Sequence, residues 1–546
     1  MIDQKHTTVQ YPLCTFHRLR LVTRRFNANL TPNHKSIRGI IVKPSLLAAS
    51  LSAALITVST SASAAVSSAV DERGAFVGFL VNIIEALDRF VFKSITVGDI
   101  TFQWIVVWMM LPMIFLTFYF KFINLHSFKR AWDVLRGHYH DPKAPGEVSQ
   151  FQALTTALSG TVGLGNIAGV AVAISLGGPG ATFWMILIGL FAMSLKFAEC
   201  TLGVKYRTIN ADGTVSGGPM YYLEQGLKNR GAGWAKTGKI LAWSYAILAF
   251  PSLLQIAQVN QSYEAIEAVT GLSSDVYKWG FGVLIAALTA VVIIGGIKSI
   301  ASVTSKLVPL MVIIYVGAAL IIILGHITDI PAAFVTIYES AWGVEQVGGG
   351  FVGVLIIGMK RAVYSTEAGL GSATMAHAAA KTKEPVSEGM VALMEPFIDT
   401  VIVCTMTALV IVVTGSYEIG QSVQGISMTS QAFGSVISWF PIILAFAAFL
   451  FAFSTIISWG YYSSKIWGFL WGDSDRSMMI FKIVFCVALI PGAILSVTEV
   501  YMLMDAMFFL MAVPNIIGIY LMAPELKADI ADYLARLKSG AIVRLN

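Results

Sequence analysis

Charge is what this 546-residue chain has least of: Asp, Glu, Lys and Arg make up 12% of it, against about a quarter in an average soluble protein. That scarcity excludes a chain solvated on every side. Its four cysteines, Cys14, Cys200, Cys404 and Cys486, lie far apart with no CxxC pair, so neither a disulfide framework nor a zinc site is indicated. There is no G-x-x-x-x-G-K-[ST] stretch and no HExxH, which leaves ATP-driven pumping and zinc proteolysis without support in this chain. Short strands of alternating polarity, the mark of a β-barrel, are missing too.

What is present is apolar. Hydrophobic residues make up 56% of the chain and the mean hydropathy is +0.73. Apolar runs long enough to cross about 30 Å of hydrocarbon recur along most of its length. We place eleven spans, near 104–124, 152–176, 180–203, 238–270, 279–297, 304–325, 350–376, 387–414, 436–466, 478–497 and 499–523. The net charge of +6 reads as a topology signal rather than a nucleic-acid footprint. The basic stretches at 121–143, Lys205–Arg207, 228–239, Lys298/Lys306, Lys381/Lys383 and Arg476/Lys482 fall on one side, whereas the loops near 326–346 and 415–435 carry no Lys or Arg. Positive-inside sorting then puts the N-terminus outside and the C-terminus in the cytoplasm of a bacterial inner membrane.

Upstream, Leu46–Ala65 combines a short apolar core with a small-residue ending, as a signal peptide does, although the basic stretch before it is unusually long. The expected organisation is an N-terminal extension with that leader (1–65), a lead-in with the first span and a basic loop (66–145), a first five-helix repeat (146–325), a second (326–525) and a tail (526–546).

One span undermines its own helix. Thr156–Ser175 reads TALSGTVGLGNIAGVAVAIS, with Gly160, Gly163, Gly165, Asn166 and Gly169 at its centre. Each glycine costs a helix interior about 0.5–1 kcal/mol relative to alanine. A break at that depth frees N–H and C=O groups that only protein, water or a ligand can satisfy. A half-helix N-terminus suits an anion such as a carboxylate, and freed carbonyls suit a cation. Gly165 and Gly169 also form a G-x-x-x-G packing motif, so the added Ser159, Thr161 and Asn166 matter. The Gly-Leu-Gly triplet at 163–165 returns at 369–371, inside STEAGLGSA. Five spans begin with each triplet, and an odd number makes the second set start from the opposite side. That is an inverted repeat, whose paired interruptions mark a transport site.

The blocks GEVSQFQALTTALSGTVGLGNIAGVAVAISLGGPGATFWM, KFAECTLGVKYR, EAGLGSATMAHAAAKT, EPFIDTVIVCTMTALVI and FAFSTIISWGYY resemble the alanine or glycine:cation symporter family over about residues 104–525. The resemblance implies an all-α polytopic membrane protein with a leucine-transporter-like five-plus-five inverted repeat and one extra N-terminal helix. It also implies symport of sodium with a small neutral amino acid, alanine or glycine and by extension D-alanine, without an organic cofactor, by a monomer or loose oligomer. VGLGN at Val162–Asn166 is similar to the broken first helix of neurotransmitter:sodium symporters. By that match the carbonyls of Ser159 and Val162 bind sodium with the hydroxyls of Ser454 and Thr455. Thr161, Gly163, Gly165 and Asn166 lie against the substrate, faced by Thr455 and Trp459. The chain departs from the family at Ile186, Thr366 and Thr374, and Thr366 sits at the second break.

Other polar residues within spans carry open readings. Glu367 is either an ammonium or cation partner or a structural acceptor, and as a proton carrier it would make the protein a proton-coupled transporter or exchanger. Gln255 and Gln258 share a helix face that lines a pocket or bonds another helix. Glu395 and Asp399 read as structural or gating groups, and Asp505 has no assignment. Lys196 and Glu199 read as snorkelling side chains near a membrane surface.

Overall fold

The computed structural model describes residues 75–98, 100–139, 141–343, 350–419, 425–436, 438–495 and 498–544. The expected leader at 46–65 lies outside the described residues. The remainder is one compact unit, Phe76–Asn546, built almost entirely from helices; among its described residues are two short hairpins, Ser94–Val97 with Ile100–Gln103 and Thr208–Ile209 with Val215–Ser216.

Hydropathy and length make this a multi-pass membrane protein. Among the described residues seven helices are long and apolar enough to cross a bilayer, and the bent pair Gln150–Thr161 and Leu164–Gly177 makes an eighth. The expected spans near 104–124, 238–270 and 350–376 fall short for stated reasons. The first is a 16-residue helix, Trp104–Tyr119. The second is cut by a 3-10 turn at Phe250–Leu253 between Ala232–Ala249 and Ile256–Thr270. Pro251 has no N–H to continue the ladder, and its carbonyl instead accepts the N–H of Leu254. The third is helical over Gly350–Thr366 and again over Thr374–Ala378.

Two runs of helical segments follow one another. The first comprises 150–177, 181–205, 232–270, 275–293 and 296–325, and the second 350–378, 385–413, 440–471, 475–493 and 498–538. Each opens on an interrupted helix. Ser149 starts the first with a capping box: its hydroxyl accepts the N–H of Gln152, whose side chain accepts the N–H of Ser149. The helix stops at Val162 and resumes beyond Gly163 after a bend of 61°. In the second run three residues within five have positive φ: Glu367 at 49°, Gly369 at 97° and Gly371 at 74°. Left-handed backbone is cheap for glycine and strained for glutamate.

Close backbone approach holds the runs together. A side chain begun at Gly358 would stand 2.5 Å from the Ala181 carbonyl oxygen, so the Gly350–Thr366 helix lies directly on the start of Ala181–Lys205. Backbone cannot step aside as a rotamer can. Gly358→Ala is expected to cost about 1–3 kcal/mol, read as a lower thermal unfolding midpoint of the purified protein in detergent. An unchanged midpoint would show that the two helices have room to separate.

Candidate functional site

The two interruptions and the Phe440–Trp471 helix supply the polar groups at the centre of the molecule. At the first, the N–H of Gly163, freed by the end of its helix, is taken by Asn166 Oδ1 at 2.9 Å. Asn166 Nδ2 then reaches Asp399 Oδ1 at 2.6 Å, the Asp399 carbonyl at 3.1 Å and Ser365 Oγ at 3.1 Å. Its own carbonyl accepts from Thr407 and that of Ile167 accepts from Thr429. Asn166, expected against a ligand, thus has its amide occupied by protein groups and is fully buried.

Asp399 is the counterpart on the other side. It lies in a π-helical segment, Phe397–Cys404, that begins directly after Pro396, and such widened turns concentrate at functional sites. Its Oδ2 accepts from Ser365 Oγ at 2.5 Å and from Thr400 Oγ1 at 2.8 Å. Ser365 precedes the second interruption, so one carboxylate ties both broken helices.

Of the four residues expected around sodium, Ser159 and Ser454 meet, and Thr455 stands beside Gly163, the chain neighbour of Val162. Ser159 Oγ donates to the Ser454 carbonyl at 2.8 Å and contacts Ser458 Oγ. Ser454 Oγ lies 3.5 Å from the Ser159 carbonyl. Val162 ends the first half-helix, with its N–H on the Leu158 carbonyl at 2.7 Å. Thr455 Oγ1 is buried and among the described residues has no hydrogen-bond partner. It sits 3.0 Å from where a side chain on Gly163 would begin. Gly165 differs: a side chain there would meet nothing within 4 Å. Thr161 is buried and makes only long contacts, 3.4 Å each, to the carbonyls of Ala157 and Leu158.

Glu367 and Trp459 come together at the second interruption. The Glu367 carboxylate accepts from Ser372 Oγ at 2.6 Å, with the Trp459 side chain beside it. Gln258 stands apart from these contacts, on the Ile256–Thr270 helix. It shares a face with Ser262 and Ala265, and Ala265 packs in the cluster around Leu164 of the first break. Gln258 Oε1 and Ser262 Oγ have no partner among the described residues.

Sequence reading missed what braces the second interruption. The N–H of Gly369 donates to Glu199 Oε1 at 3.0 Å, and Asn515 Nδ2 reaches that same oxygen at 2.7 Å and the Gly369 carbonyl at 2.8 Å. The Tyr222 hydroxyl donates to Asn515, and the Tyr245 hydroxyl donates to the Leu370 carbonyl at 2.8 Å. A lone Asn515 in an apolar run was the available signal. Lys196 and Glu199 do not snorkel. Both are fully buried, and Lys196 Nζ pairs with Glu395 Oε1 at 3.1 Å. The chain of buried groups continues: His377 Nε2 is 3.9 Å from Glu395, His377 Nδ1 is 2.7 Å from Glu388, and Gln150 Nε2 donates to Glu388 at 2.9 Å.

Beneath the site, Arg207 gathers the carbonyls of Ala378, Ala380, Pro145 and Thr382 at 2.6–2.7 Å. Lys383 bonds Asp141 at 2.8 Å and holds its carboxyl below the ordinary carboxylate range.

Removing one partner of a buried ion pair leaves the other charged and dry, at a cost of about 3–5 kcal/mol. Lys196→Met is therefore expected to lower the unfolding midpoint sharply, and adding Glu395→Leu to recover much of the loss. A single variant as stable as the wild type would mean the pair carries no structural burden.

The sequence model of the sodium:alanine symporter family matches residues 86–545. The sodium/alanine symporter AgcS of Methanococcus maripaludis is 38% identical over 75% of this chain and 89% of its own length. The probable sodium/glutamine symporter GlnT of Bacillus subtilis is 32% identical over 78% of this chain and 87% of its own. The crystal structure of MhsT in complex with L-phenylalanine aligns at a TM-score of 0.49 and 14% identity, covering 69% of this chain and 89% of that one.

Proposed function

The chain belongs to the sodium:alanine symporter family, a family of transporters and not of enzymes, and from that premise we propose that it carries a small neutral amino acid inward with sodium. Alanine or glycine is the expected cargo, with D-alanine included. The basic loops favour a cytoplasmic C-terminus in a bacterial inner membrane.

One observation carries the sodium reading: the unpartnered Thr455 hydroxyl beside the first break. A buried hydroxyl without a partner costs about 1–3 kcal/mol. A cation that takes its oxygen, with the neighbouring Ser454 hydroxyl and the Ser159 and Val162 carbonyls, offsets that cost. The ligands are all neutral oxygens, suited to a hard monovalent ion whose hydration shell they replace. Transport then requires the ties at the basic end to part, including Arg207 on its four carbonyls and Arg536 on Glu384 at 2.6 and 2.8 Å. An inverted relation between the two runs would let one bundle rock against the other around a fixed site.

Thr455→Val keeps the shape and removes the oxygen. In proteoliposomes it is expected to raise the sodium concentration for half-maximal alanine uptake about tenfold. Unchanged sodium dependence would remove Thr455 from the ligand set. Wild-type uptake that ignores sodium and follows an imposed pH gradient would replace this reading with proton coupling.

The open space at Gly165 is the volume we assign to the substrate side chain. Gly165→Ala should leave folding intact while lowering alanine uptake about tenfold more than glycine uptake, the scale of one lost good contact. Equal effects on both amino acids would place the substrate elsewhere.

A further inference from the structure

A cavity of about 400 Å³ opens among basic side chains, and no residue of the broken helices lines it. Four cationic or titratable basic side chains line it: His126, Lys129, Arg130 and Arg544. Two stretches distant in sequence thus bring their charges to one space. Its one carboxylate, Asp133, is already engaged, 3.6 Å from His138 and 3.7 Å from Arg544. Arg130 is held in place over the ring of Tyr139, 4.7 Å from its centroid. Lys129, Arg130 and Arg544 set three cations against that one carboxylate, Arg544 also bonding His138 Nδ1 at 2.7 Å. Met390, Leu534 and Leu537 add apolar surface to its lining.

The setting is a membrane surface. The helices Ile123–His126 and Phe128–Leu135 follow closely on the apolar Trp104–Tyr119 helix. Large apolar side chains at Phe118, Phe122, Leu125 and Trp132, before, within and after the left-handed turn at Lys121 and Phe122, remain exposed, Leu125 at 60% and Trp132 at 47%. In water such exposure would be a liability. Beside a membrane it is an anchor, with Trp at the headgroup level. Cations clustered at that level, next to apolar surface, match a headgroup phosphate with acyl chains below it.

We propose that this cavity binds a phosphate-bearing anion at the membrane surface, supplied by an acidic phospholipid, with Lys129, Arg130 and Arg544 around the phosphate. The site is independent of the transport site: it shares no residue with the two broken helices.

The test uses the full chain in nanodiscs containing spin-labelled phosphatidylglycerol or spin-labelled phosphatidylcholine. The fraction of motionally restricted label is the readout. Each cation at a membrane surface contributes about five-fold in affinity, so the wild type should hold the anionic label in clear preference. Lys129→Gln with Arg544→Gln should reduce that preference about 25-fold, while Arg130 is left to keep its stacking. Lys228→Gln with Lys236→Gln, on other basic surface, should not change it. An equal fall in both double variants would overturn the proposal, because general surface charge would account for the preference. A second arm adds inorganic phosphate to detergent-solubilised protein and reads thermal unfolding. Stabilisation by phosphate without lipid preference would assign the same cavity a soluble phosphate donor. Neither lipid preference nor phosphate stabilisation would overturn the site altogether. Wild-type measurements decide this arm even if a variant fails to fold.

Discussion

The carboxylate of Asp399 joins two helices that each forfeit part of their own hydrogen bonding. In hydrocarbon a broken helix is tolerated only when protein, water or ligand replaces the lost partners. Asn166 does so for Gly163, and Asp399 then holds Asn166 through one oxygen and Ser365 through the other. Both contacts to Asp399 are donors facing a carboxylate oxygen, the arrangement in which a buried carboxylate is worth keeping. Neither interruption can therefore be moved without disturbing the other, which is the mechanical requirement for two halves acting on one site.

The same economy governs the buried charges. A lysine, a histidine and several carboxylates lie fully inside the structure, among them Lys196, His377, Glu388 and Glu395. Each is placed so that a neighbour on a different helix answers it. Glu199 spends one oxygen on the second break, through Gly369 and Asn515. Charge in this molecule is scarce and is used where backbone has been opened or where helices meet. Isolated ion pairs of this kind add little net stability, but they penalise any arrangement that separates the partners.

Within that frame, two features beside the first break mark the proposed site. Thr455 Oγ1 lacks a partner beside Gly163, and the space before Gly165 is open. A bound cation would take the oxygen that the protein leaves unpaired at Thr455, and the open space at Gly165 would admit a small side chain.

Much of this was written locally in the chain. Hydropathy alone marked the long apolar helices, the glycines of 160–169 marked the first interruption, and the repeated Gly-Leu-Gly marked the second, because burial in lipid and helix propensity act over a few turns. Ser159 and Ser454 were paired by resemblance, and they do meet. The interruption at Phe250–Leu253 was signalled by Pro251 but hidden within a continuous apolar run. Other features could not be read locally at all. Lys196 looked like a surface residue until Glu395 met it, about two hundred positions away. Asp399 acquired its role only from Asn166 and Ser365 on other helices. The sequence by itself determined most of the long apolar helices and the two breaks marked by glycine. Only the tertiary structure decided which buried polar groups answer one another, since hydrogen bonds and ion pairs need a geometry that no single helix contains.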